Sequence, residues 1–227
     1  MYYDEIALMM IYSGNMAGTD PNAFEYLEKV VRSHSRRILV QSKRISTHCG
    51  NTSVGVQDIF FVLRKDKQLI AKLKEALRIK NLKNNIDDEL DNLCMFEDNN
   101  DENISNIDRP VNEKLMILDS ITRDMNTEEY VEYSKSRETS FTNKKVSKFK
   151  ELIGVQNLSN DATEILGIIS RDLIFEIVQW SIKVRNEKYK GKKDKPPFKL
   201  DFNRSPLSLN EIEEGVRRVY FNLPYRI

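Results

Sequence analysis

Glycine and proline are scarce, with eight and six among 227 residues. That is about 6% against a usual share of roughly 12%. So few turn formers argue against a sandwich or barrel and exclude collagen-like or Gly/Pro low-complexity structure. Cysteine is nearly missing as well: Cys49 and Cys94 cannot make a disulfide framework and suit a reducing compartment. The only histidines are His34 and His48, and neither His48-Cys49 nor Cys94 has zinc-ligand spacing. There is no Gly-rich loop between a strand and a helix to cradle a phosphate. No run of eighteen apolar residues predicts a membrane span. The acidic start, Asp4 and Glu5, does not read as a signal peptide. Lys plus Arg is 36 and Asp plus Glu is 35, for a net charge of +1, so overall charge does not indicate a nucleic-acid binder. Together these absences predict a chain that is not an enzyme and carries no cofactor and no metal.

What the chain has is length without breakers. Residues 22–109 and 111–195 contain no proline, which leaves room for long helices. Residues 84–110 hold nine acidic residues, seven asparagines and one cation, Arg109. That composition predicts a solvated, mostly disordered linker, with too little apolar surface to offset chain entropy. Residues 190–199, KGKKDKPPFK, read as an exposed basic loop. The expected organisation is therefore an N-terminal block over 1–80, an acidic Asn-rich linker over 81–110, a helical segment over 111–141, and a C-terminal block over 142–223 with a basic loop at 190–204.

Both blocks share one rhythm. Residues 3–12 predict a short helix ending at Ser13-Gly14. Asp20 and Pro21 mark the next start, and nothing breaks the helix before Gly50. Leu27, Val31, Ile38 and Ile45 fall near one face, with His34 half-buried between them. Residues 56–63 and 66–80 predict two further helices. In the C-terminal block, Thr142 is expected to cap a short helix carrying Val146, Phe149 and Leu152 up to Gly154. A long helix then runs from Ser159 or Asp161 to about Tyr189. Its apolar residues, among them Ile165, Ile169, Leu173, Ile174, Ile177 and Val178, cover more than one stripe, so most of its circumference must be buried. Ser208 and Glu211 have capping-box spacing ahead of a last helix. The fold class is all-α.

Short–long–short helices of these lengths are the sequence pattern of a histone fold, and two such units clasp head to tail. The chain resembles the double-histone-fold, suppressor-of-Ty subunits of the SAGA transcriptional coactivator. Their halves are related to the TATA-binding-protein-associated factors thirteen and eleven of TFIID. The resemblance rests on Met9–Gly14, Ile38–Ser42 and Asp58–Lys67 in the first half. In the centre it rests on Thr127–Val131, Ser136-Arg137, Ser140–Thr142 and Lys148–Lys150. In the second half it rests on Ile165–Gly167, Phe175–Val178 and Glu214–Val219. Asn51 stands where many histone folds carry an arginine that pairs with the aspartate at the position of Asp58. The resemblance implies two histone folds paired within one chain. It also implies a nuclear, non-enzymatic coactivator subunit that binds TATA-binding protein (TBP) and other SAGA-type subunits.

The loops bear on histone-like DNA binding. Residues 15–22, 50–55 and 154–160 contain no Lys or Arg, and 202–207 contains only Arg204, so no strong direct DNA binding is expected. A TFIID-type scaffold that pairs only with histone-fold proteins is a further alternative. Glu176, set in Leu173–Trp180, is either on the one exposed strip of its helix or paired inside, and it is the leading candidate for contact with TBP. Arg123, Asp124, Tyr130 and Arg137 are further candidates, and packing of their segment against the paired folds is the competing role. Trp180 reads as core.

Overall fold

Asp20 starts the first long helix by accepting a hydrogen bond from the Asn22 amide at 2.9 Å, and Pro21 fixes the backbone at the first helical position. The chain, a computed structural model, is described over residues 2–16, 20–84, 114–123, 125–142, 146–155, 158–189 and 206–223. Helix α1 spans Tyr3–Tyr12, α2 Pro21–His48, α3 Val56–Leu63 and α4 Lys67–Asn84. Helix α5 spans 114–122. Then come α6 over Thr127–Arg137, α7 over Val146–Ile153, α8 over Asn160–Tyr189 and α9 over Leu209–Asn222. There is no strand among the described residues. The predicted linker over 84–110 and the basic loop over 190–199 lie almost wholly outside the described residues.

α1–α2–α3 and α7–α8–α9 are the two short–long–short units, and they interlock. The long helices α2 and α8 cross at a pair of buried serines. Ser35 and Ser170 place their hydroxyl oxygens 3.1 Å apart. Ser170 spends its proton on the Leu166 carbonyl at 2.7 Å, so Ser35 is the donor between the two. Beside the crossing, Val54 and Leu158 form an isolated parallel bridge that ties the loop after α2 to the loop before α8. One continuous apolar core runs through both units, from Ile6 and Met9 through Leu27 and Ile38 to Ile165, Ile177 and Ile212. Burial on this scale is what holds such a fold together. Helix α8 is buried nearly all round, as its sequence predicts.

One detail follows from Asn51, and another differs from expectation. Asp58, without an arginine at position 51, accepts the Gly55 amide at 2.8 Å and so closes the first turn of α3. Thr142 does not start α7, which begins four residues later at Val146. It is buried instead, its hydroxyl 3.0 Å from that of Ser140. It also packs where Gly167 leaves room for it: a Cβ at Gly167 would lie 2.8 Å from the Thr142 methyl.

The second unit carries a buried ion pair that the sequence did not suggest. Arg185 on α8 donates to Glu211 on α9 at 2.8 Å and to the Pro206 carbonyl at 2.7 Å. Glu211 also accepts the Ser208 amide at 2.9 Å, so the expected capping box forms. Burial pushes the Glu211 carboxyl up, but the bonds from Arg185 and Ser208 more than offset this, and its pKa ends below the usual value. One residue thus caps α9 and locks it to the end of α8.

Candidate functional site

Glu176 lies two turns beyond the α2–α8 crossing. Its side chain is exposed, at the rim of a small groove of about 140 Å³ between α8, α2 and the turn into α4. Its neighbours in that groove include Asp66, Lys72 and Asp172. The three carboxylates differ in their partners. Asp66 accepts the Leu69 amide at 2.9 Å and starts α4. Asp172 pairs with Lys114 of α5 at 2.7 Å. Glu176 has no hydrogen-bond or ion-pair partner among the described residues. Its pKa is raised, first because the surrounding protein strips water from it, then because Asp172 repels its charge. Asp66 adds repulsion, while Lys72 and Lys114 oppose it. Solvent reaches the side chain, yet the groove walls desolvate it. The result is an accessible carboxylate whose negative charge is poorly compensated. A cation supplied from outside would relieve it.

Lys114 links this groove to the segment before the second unit. Its ammonium lies 4.5 Å from the Phe175 ring centroid as well as on Asp172. Phe175, Tyr12, Ile121 and Tyr133 form a separate small core in which α5 and α6 pack on α1 and α8. The Tyr133 hydroxyl donates to the Tyr12 carbonyl at 3.3 Å. Arg171 donates to the Arg137 carbonyl at 2.7 Å and places its guanidinium 4.5 Å from the Tyr12 ring centroid. Asn126 and Glu129 cap α6 reciprocally, at 2.8 and 2.9 Å. The segment therefore braces the paired folds.

The sequence candidates divide accordingly. Glu176 stands at the groove. Tyr130 and Arg137 are exposed on α6, and Arg123 is exposed and paired with Asp119 on its own helix. Asp124 lies outside the described residues. Sequence reasoning missed Asp172 and Lys114. The first could have been found, because it precedes Glu176 by four residues and so shares its helix face; nothing in the sequence pointed to the second. His34, expected to be half-buried, is fully buried beneath the groove. Its ring centroid is 5.8 Å from that of Tyr220. Burial, with help from the Arg37 charge, lowers its pKa to about 4. Trp180, expected in the core, is only partly buried; the Lys183 ammonium sits 4.5 Å from its ring centroid. Among the described residues no group of three His, Cys, Asp or Glu could hold a metal, and no helix is long and apolar enough to cross a membrane.

Comparison with known proteins agrees with this architecture. Residues 1–92 match the family of the transcription initiation factor IID 18 kDa subunit. The SAGA complex subunit Spt3 of Schizosaccharomyces pombe is 23% identical over 82% of this chain and 73% of its own. The chain is similar to the Spt3 proteins over most of its length. The SAGA complex subunit SPT3 of Saccharomyces cerevisiae is 25% identical, covering 86% of this chain and 77% of its own. The protein SPT3 of Kluyveromyces lactis is 24% identical, covering 81% and 75%. The match to the Spt3 relatives spans both helical units, while the match to the 18 kDa family takes in the first unit and ends at residue 92, short of the second.

Proposed function

We propose that the chain is a SAGA-type transcriptional coactivator subunit that works in the nucleus. Its task is to hold TATA-binding protein, and it does so with the groove at Glu176. The relatives supply the setting, since two of them are named as SAGA subunits. The observation that carries the contact is the Glu176 carboxylate, accessible, without a partner among the described residues, and repelled by Asp172 and Asp66. A basic patch on the partner would compensate it and restore what the fold leaves unfavourable. Helices α5 and α6 act as the brace that fixes Lys114, and through it Asp172, beside the groove. Tyr130 and Arg137 keep exposed side chains that a bound partner can reach. The reading as a histone-like DNA binder gains no support, because the loop at 50–55 has no basic residue to meet a phosphate.

The test is Glu176→Lys in the full chain, with affinity for purified TBP and thermal stability measured on the same preparation. Reversing an interfacial charge can cost several kcal/mol, so binding should weaken tenfold or more. The melting temperature should not fall, since the variant removes a carboxylate whose charge weighs against the fold. Unchanged affinity in a folded variant would remove the groove from the interface.

A further inference from the structure

Helix α2 carries a second feature on its outward face. Lys29, Arg32, Arg36, Arg37, Lys43 and Arg44 are all exposed. They fall within sixteen residues, about 22 Å of helix, and no Asp or Glu occurs between Glu28 and Asp58. Lys29 is paired with Glu25 at 2.7 Å, and Arg44 reaches the Gln41 amide oxygen at 3.5 Å. Arg32, Arg36, Arg37 and Lys43 have no acidic partner among the described residues. The face is also shaped. Arg32, Arg36, Arg37 and Val40 border a shallow, open depression between the side chains of this helix. Val40 is 52% exposed there. A valine facing water in the middle of a cationic face is unexplained by the paired folds, whose core lies on the other side of α2.

We propose that this face of α2 docks an acidic peptide segment of a partner protein, with carboxylates on Arg32, Arg36 and Arg37 and an apolar side chain on Val40. Arginine suits the task because its planar fork binds a carboxylate in two-point fashion. Uncompensated like charges raise the local potential and attract a ligand of opposite sign. A phosphate backbone would use the same cations but not Val40. Duplex binding by paired helical units also draws on basic loops, which the loop at 50–55 does not provide. The surface differs in sign from the Glu176 groove, so it is independent of the contact proposed there.

Fluorescence anisotropy on the full chain tests it, with a short labelled peptide alternating glutamate and leucine as probe. A serine-for-leucine version and a short DNA duplex serve as comparisons. The glutamate–leucine peptide should bind saturably and more tightly than the serine version. The double variant Arg32→Glu with Arg36→Glu should weaken it tenfold or more, and Val40→Asn should weaken it too. Thermal denaturation should report unchanged folding for both, and Glu176→Lys should leave peptide binding as it was. Absence of saturable binding, or binding indifferent to the double variant, overturns the proposal. Tighter binding of the duplex, lost in the double variant but indifferent to Val40→Asn, overturns it in favour of a nucleic-acid surface.

Discussion

Glu176 and His34 both line the same groove and respond to acid in opposite senses. The folded Glu176 carboxyl holds its proton to higher pH than the unfolded one. Its ionisation therefore weighs against the fold as pH rises above 4.5, and the penalty is complete once the folded group has titrated. Glu176→Gln should raise the melting temperature at pH 7 and leave it nearly unchanged at pH 4. His34 works the other way. Unfolded, it takes up a proton near 6.5; folded, it stays neutral down to about 4. Between those values the unfolded chain binds more protons, so stability falls as pH falls through that window. The full loss is on the order of 3 kcal/mol. His34→Gln should flatten the dependence of melting temperature on pH between 6.5 and 4, whatever its effect on stability itself. A slope that survives the substitution would assign the acid sensitivity to another group.

Among the elements, α9 depends on one missing side chain. A Cβ at Gly215 would lie 2.8 Å from the Ile177 carbonyl oxygen and press on the Ser181 hydroxyl of α8. Overpacking of this kind costs about 1–3 kcal/mol, against a gain of about 1 kcal/mol in helix propensity. Gly215→Ala should therefore destabilise the chain by up to about 2 kcal/mol in denaturant titration, although alanine is the better helix former. Helices were the most legible part of the sequence. Breakers and caps at Gly14, Pro21, Gly50 and Gly154 marked their ends, and the apolar surplus of α8 announced its burial. What stayed hidden was side-chain partnership at a distance. The Arg185–Glu211 pair joins residues 26 apart and Lys114–Asp172 joins residues 58 apart. No helical or strand period relates such positions. The site was legible only as one odd glutamate in an apolar run. Its charge environment depends on the turn at Asp66, which the fold brings to α8.

For the whole molecule, the shared core sets the unit of stability. Leu27, Ile38 and Ile59 lie in one continuous cluster with Ile165, Leu173 and Ile177, so neither half has a finished core. A fragment ending at residue 84 should aggregate or remain unfolded, while the full chain should melt in one transition and sediment as a monomer. A folded, soluble, monomeric fragment 1–84 would contradict this. The bridge between Val54 and Leu158 joins two loops of a single polypeptide, and this bears on assembly. Where paired units are separate chains, their meeting is second order and either can be made in excess or change mates. Here the meeting is first order and the ratio is fixed at one to one by translation. Dilution cannot part the pair, and no rival unit can take the place of either half without first displacing its tethered mate. Regulation by exchange of pairing partners is therefore closed to this chain, leaving its outer surfaces as the place where its interactions can be varied.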